Sequence, residues 1–342
     1  MRTFILLGAV VLALSLAPGC DSARDAGSST ATASKAADAT GRVVVANRDD
    51  GTLSLIDAQT DAVTTVTMPD SGEPMYVVYV ASQDRVFVGD RANDRVVVFD
   101  GRTFEVEGTV ATGAGVFHMW ADRGGRQLWV VGDQANTLTV VDPGTLGVLA
   151  TVAVDGGTPH DVLVGPRGRY AYATIFVEDG ADQVIQYDTQ TFQELARADV
   201  GEDPHLTANV RNPNLFVPSQ NSNVINVFDR LTLAPVADIE VEGTHGVTMS
   251  VDGDVLYTTN LPGEGDDGLI AVDARTNAVL GAVDTPATVP HNVVRTPDGE
   301  RLYVTHSGPN TVVTVYDTNG GVPSLATTVT VGANPFGLDY VP

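Results

Sequence analysis

The chain carries a single cysteine, Cys20, in 342 residues. A disulfide framework and a CxxC metal or redox site are therefore both excluded. Basic residues are scarce: 19 Lys and Arg face 43 Asp and Glu, a formal net charge of -24. A surface of that sign repels nucleic acid and anionic headgroups and attracts cations, so no nucleic-acid partner is expected. No G-x-S-x-G nucleophile elbow occurs. The glycine pair in "GAGVFHMW" lacks the strand and helix of a nucleotide loop. No amphipathic helical stripe runs through the chain beyond its first residues.

What is present begins with an apolar run from Phe4 to Ala17 behind Arg2. It is too short to span a bilayer stably and reads as a secretory leader over residues 1–19. The leader resembles a bacterial lipoprotein signal, in which the cysteine after a small-residue box is lipidated. The box here is Leu16, Ala17, Pro18, Gly19, Cys20, with Ala and Pro departing from the usual pattern. The resemblance implies lipidation of Cys20, a membrane partner through that lipid, and an extracytoplasmic location. Residues 20–41, rich in Ala, Ser and Thr, have the composition of a flexible tether.

From residue 42 to 342 one strand recurs: "RVVVAN" at 42, "RVFVGD" at 85, "QLWVVG" at 127, "RYAYAT" at 169, "NLFVPS" at 214, "VLYTTN" at 255 and "RLYVTH" at 301. Each copy precedes a second alternating strand that commonly ends in Asp, then a third, then a Gly/Pro turn into a fourth. Four short strands per forty-odd residues, with period-two alternation, predict an all-β seven-bladed propeller of four-stranded antiparallel blades. The first copy lacks an innermost strand, and the chain ends on one, "NPFGLDYVP". That C-terminal strand is expected to close the N-terminal blade, which removes an open edge. With "TPDGERLYV" and "YVTH" at 296–306, the unit resembles the YVTN-type propeller repeat, a family whose fold is specific and whose roles are many.

Five of the six histidines fall at one place in this repeat. Counted back from the recurring strand, His118, His160 and His205 lie nine residues before it and His245 and His291 ten. Met75 and Phe336 fill the position in the other two copies. The position opens the innermost strand, so rotational symmetry is expected to gather the imidazoles at one mouth of the channel. Clustered neutral imidazoles are common transition-metal ligands. A metal site of His118, His160, His205, His245 and His291 is expected, with Met75 and His306 as further ligands or partners of the ligands. An all-nitrogen set, with a thioether nearby, favours copper, then iron or zinc. The arrangement resembles the axial histidine sites of nitrous oxide reductase and the carotenoid oxygenases in architecture, without their additional domain or insertions. Strand alternation points Asp161 away from the imidazoles, and Trp120 and Trp129 are expected to pack blades.

Three functions remain open on sequence. They are a lipid-anchored metal-binding propeller with redox or metal-handling chemistry, a non-catalytic scaffold whose loop-rich face binds a protein or polymer, and a lactonase-like hydrolase; a protein or small-molecule ligand is expected at the channel mouth.

Overall fold

The structure, a computed structural model, describes residues 41–318 and 321–342. The leader at 1–19, Cys20 and the tether up to residue 40 lie outside the described residues. No helix among the described residues is long and apolar enough to cross a membrane.

The described residues form seven four-stranded antiparallel sheets. We label the strands of each blade A to D from the axis outward. Blade 1 takes strand A from the C-terminus, Pro335–Val341, followed by Arg42–Asn47, Thr52–Asp57 and Val63–Thr67. Val43 pairs with Tyr340 and Val45 with Leu338, so the chain ends close the ring as expected. Strands A of blades 2 to 7 are Pro74–Val80, Val116–Ala121, Thr158–Val164, Thr207–Ala208, Thr244–Met249 and Pro290–Arg295.

Strand B is buried along nearly its whole length, which is why it reads as an unbroken Val-rich run such as "RVVVAN". Strand D alternates exposed and half-buried residues, as in "VLATVA" at 148–153. Between them the blades build seven apolar clusters, each lying between two consecutive blades, that of blades 2 and 3 also taking in Phe336 of blade 1. The last joins Tyr303 and Val315 of blade 7 to Val43, Val45 and Tyr340 of blade 1.

The recurring Asp at the end of strand C has a turn-forming role. Asp57, Asp100, Asp142, Asp188, Asp229 and Asp273 each accept the N–H groups two and three residues on. The residue four places on, Phe104 or Leu233 for example, then adopts a left-handed conformation.

One irregularity shapes the axis. In six blades strand A carries a bulge in which two residues oppose a single residue of strand B. The bulged pairs are Met75–Tyr76, Phe117–His118, His160–Asp161, His245–Gly246, His291–Asn292 and Phe336–Gly337. Blade 5 has lost it: His205 and Leu206 face two residues, between the Pro204–Ser219 and Thr207–Phe216 pairs. In blades 4, 6 and 7 the residue opposite the bulge is a threonine. Its hydroxyl accepts the second bulge residue's N–H and donates to a carbonyl of the next blade. Thr259, for instance, takes Gly246 N–H at 2.9 Å and gives to the His291 carbonyl at 2.8 Å; Thr174 and Thr305 repeat this. Thr259→Val leaves both buried groups unpaired and is expected to cost about 1–3 kcal/mol. Exposed Thr64→Val should stay within about 0.5 kcal/mol. Denaturant midpoints of the two variants check this; equal midpoints would remove the tie from the account.

Candidate functional site

The bulge places side chains at two depths on the axis. First positions carry Met75, Phe117, His160, His245, His291 and Phe336. Second positions carry Tyr76, His118, Asp161, Gly246, Asn292 and Gly337. His118 is thus one residue out of the expected register, and Phe117 holds the place shared by His160, His245 and His291. Five of the second positions, Tyr76, His118, Asp161, Gly246 and Asn292, line an axial cavity of about 720 Å³, together with His205. Glycine is required at the second position in blades 1 and 6, because a Cβ on Gly337 or Gly246 would strike the neighbouring blade's backbone at Met75 or His291.

The imidazoles do converge, but as a packed plug rather than an open ring. His118, His205, His245 and His291 are 3–7% exposed, and the His160 side chain 12%. Ring centroids run His160–His205 4.8 Å, His205–His245 4.0 Å, His245–His291 4.7 Å and His291–Phe336 4.1 Å. His118 joins from below, 5.3 Å from His160 and 5.4 Å from His205, with Tyr76 stacked on it at 3.8 Å. Burial, reinforced by the neighbouring rings, holds His205 and His291 down to about 3 and His160 and His245 well below the usual imidazole value. These four rings are neutral at pH 7, the form that binds metal.

Two carboxylates belong to the cluster. Asp161 was expected to point outward, but the bulge suspends alternation and keeps it on the axial side. Its Oδ1 lies 2.9 Å from His118 Nδ1 and its Oδ2 3.8 Å from His205 Nδ1. It also accepts the N–H groups of Val162 and Leu206. Burial raises its pKa, but His118, His205 and the Val162 N–H together outweigh that and hold it below the ordinary value. Donation from Nδ1 to Asp161 leaves the Nε2 lone pair of His118 free to face the cluster, the arrangement by which an outer carboxylate orients a ligating histidine. Asp203, in the loop entering blade 5, was not foreseen. Its Oδ1 is 3.5 Å from His160 Nε2 and 3.9 Å from His205 Nε2, and those two nitrogens are 3.4 Å apart.

That triangle can be tested against a metal ion. With bonds near 2.05 Å, two nitrogens on a tetrahedral ion lie about 3.3 Å apart, and the His160–His205 separation fits. The donor atoms of His118, His160 and His205, and those of Asp203, His205 and His245, each fall within 4.8 Å of one another. Buried atoms without a hydrogen-bond partner include His118 Nε2 and both nitrogens of His245, as expected of groups shaped for a ligand.

Three expected residues stand apart. His306 ends strand B of blade 7, and its Nδ1 meets the Thr288 carbonyl at 3.0 Å and its Nε2 the Thr314 hydroxyl at 2.9 Å. Both nitrogens are consumed inside the blade, so it is neither ligand nor partner of one. Met75 is fully buried in the apolar cluster of blades 2 and 3, with Phe87 and Met119, and contributes packing. His291 stacks in the plug, but its Nδ1 lies 2.7 Å from the Asn292 side-chain amide and it shares no donor group with the others.

Fold and site together define a class: a seven-bladed propeller with a buried histidine–carboxylate cluster on its axis. Within it, residues 31–158 match the sequence model of the cytochrome D1 heme domain family, a stretch that contains His118 and none of the other histidines. Protein NirF of Pseudomonas aeruginosa is 34% identical over 135 residues, covering 36% of this chain and 34% of that protein. The match thus spans about a third of each. Among solved structures, dihydro-heme d1 dehydrogenase NirN in complex with DHE superposes with a TM-score of 0.66 at 16% identity, over 90% of this chain and 76% of that one. Hydrazine synthase of Kuenenia stuttgartiensis gives 0.66 at 18%, over 77% and 88%. At these identities the two structures share the fold.

Proposed function

We propose that the protein holds a single transition-metal ion on the propeller axis through His160, His205 and Asp203, with His118 and His245 as flanking donors. The observation that carries this is the donor triangle of 3.4, 3.5 and 3.9 Å. Two imidazoles and one carboxylate are harder than the all-nitrogen set read from sequence. The choice therefore moves from copper toward iron, with zinc next. A bound ion would supply Lewis acidity or one-electron chemistry within the buried histidine cluster. The chain's own part is to keep the imidazoles neutral, fix the His118 tautomer through Asp161 and exclude bulk water.

Metal content of protein purified without chelating resin, followed by Fe²⁺, Zn²⁺ and Cu²⁺ titration after chelation, tests the reading. One ion per chain is expected, lost in His160→Ala/His205→Ala and weakened about 10- to 100-fold in Asp161→Asn. Wild-type protein that takes up none of the three ions leaves the scaffold reading. Lactone hydrolysis that survives His160→Ala and His245→Ala would place a hydrolase site elsewhere.

A second reading is supported by the family match and by the cavity that reaches His118 and His205. In it, the cavity would take a haem-like tetrapyrrole, with His118 or His205 as the residue that would hold it. Haem added to chelator-treated protein distinguishes the two: a shifted visible band lost in His118→Ala or His205→Ala, but kept in His160→Ala, favours the tetrapyrrole. The leader at 1–19 supports an extracytoplasmic location and Cys20 a lipid anchor. Membrane fractionation of wild type against Cys20→Ser checks the anchor, with release of the variant expected.

A further inference from the structure

The axial cavity has a second half, remote from the histidines, lined by the outer ends of strands A and the turns that follow. Its walls are apolar, with Val80, Val164, Val294 and Leu338 among them. Six charged residues line the whole cavity: Asp122, Asp161 and Asp339, and Arg123, Arg211 and Arg295. The carboxylates are committed. Asp122 accepts the N–H groups of Gly124, Arg126 and Gln127 and the Arg126 guanidinium. Asp161 serves the imidazoles, and Asp339 accepts Tyr79 and Tyr340 N–H, both at 2.8 Å.

The arginines are not committed in this way. Among the described residues nine other arginines pair with a carboxylate: Arg48, Arg85, Arg91, Arg95, Arg102, Arg126, Arg197, Arg275 and Arg301. None of the cavity arginines does, and among the described residues Arg42, Arg167, Arg169 and Arg230 also lack such a partner, so what sets the three apart is their shared cavity. Half-buried Arg295 spends Nε and Nη1 on the carbonyls of Met249 and Thr296 at 2.7 and 2.9 Å. Its nearest carboxylate influence, Asp298, is hydrogen-bonded to the Thr296 hydroxyl. Arg123 and Arg211 are exposed at the mouth, and Asp252 near Arg211 is engaged by Ser250. In a protein of charge -24, three guanidiniums without a carboxylate partner line one cavity.

We infer that this half of the channel binds an organic carboxylate with an apolar body. Arg295 holds the carboxylate, the valines and Leu338 take the body, and Arg123 and Arg211 draw the anion to the mouth. The volume of about 720 Å³ suits a small molecule. The inference is independent of the metal reading.

Octanoate is the probe, with octanamide and octylammonium as isosteric controls, on chelator-treated protein. Trp120 lines the cavity and is 43% exposed, whereas Trp129 is fully buried, so Trp fluorescence reports binding alongside calorimetry. Saturable one-to-one binding of octanoate is expected, with both controls about tenfold weaker or more and Arg295→Gln weaker by about ten- to a hundredfold. Arg123→Gln/Arg211→Gln should keep binding but flatten its salt dependence. Exposed Thr64→Val, on the outermost strand of blade 1 and away from the cavity, should leave octanoate affinity unchanged. Because the wild-type comparison needs no variant, misfolding of Arg295→Gln cannot blur the result. Octanamide binding as tightly as octanoate, or no saturable octanoate binding, overturns the proposal.

Discussion

Deleting residues 335–342 is expected to abolish cooperative folding. The lost strand pairs with Arg42–Asn47 and supplies Phe336, Tyr340 and Val341, all buried. These three side chains enter three different inter-blade clusters. At roughly 1.5–3 kcal/mol each, their removal costs about 5–9 kcal/mol, comparable to the whole stability of a typical domain. The deletion also strips Thr305 of its acceptor, the Phe336 carbonyl, and Tyr79 N–H of Asp339. It opens the ring between blades 7 and 1 besides, leaving strand B of blade 1 with an unpaired edge. Circular dichroism melts and gel filtration check this. A deletion variant that unfolds in a single sharp transition close to the wild-type temperature would show that closure is dispensable.

Acidification from pH 7.5 to 5 should unfold the metal-free protein far more readily than its carboxylates alone would explain. His160, His205, His245 and His291 are held neutral in the fold, His205 and His291 down to about 3 and His160 and His245 well below the ordinary imidazole value. The unfolded chain takes up a proton at each near the ordinary imidazole value of 6.5. Below that pH the unfolded state binds more protons, so stability falls as pH falls. Each imidazole contributes about 1.4 kcal/mol per pH unit. Two groups act in the opposite direction. Burial raises Asp339 to about 6 and, with Asp182 nearby, raises Asp203, so these carboxyls bind protons in the fold first and offset part of the loss. With Asp339 subtracted, the remainder below about pH 6 is at most three imidazoles' worth, roughly 4 kcal/mol per pH unit, and Asp203 lowers it further. Denaturant titrations at several pH values measure the slope, and His245→Phe should reduce it by about a quarter to a half. A slope near zero between pH 6.5 and 5 would mean that the plug takes up protons without unfolding.

The blades were legible because each strand B is buried on both faces and repeats the same Val-rich run, and because the missing strand at one end matches the extra strand at the other. The cluster was legible only in outline. Counting residues back from strand B assumes that every A–B connection has one length. Blade 5 lacks the bulged residue and blade 3 carries its histidine one place later, so the count merged two depths into one. Alternation failed for the same reason at Asp161: a bulge cancels the period of two that would have turned it outward. Asp203 sits in a loop with no periodic signal, and only its place before Pro204–His205 hinted at it. His306 shows the opposite error. It shares a residue type with the cluster, yet Thr288 and Thr314 consume both nitrogens within the blade.

Dividing the buried apolar groups into seven separate compartments has an evolutionary consequence. Each wedge needs to match only its two flanks, so copies of an ancestral unit are free to drift apart around the disc with little effect on distant wedges. The hub offers no such freedom, because the bulged pairs of all wedges share one small space. New chemistry in this architecture therefore arises by altering a two-residue kink, and its novelty lies in the combination of wedges rather than in any one of them.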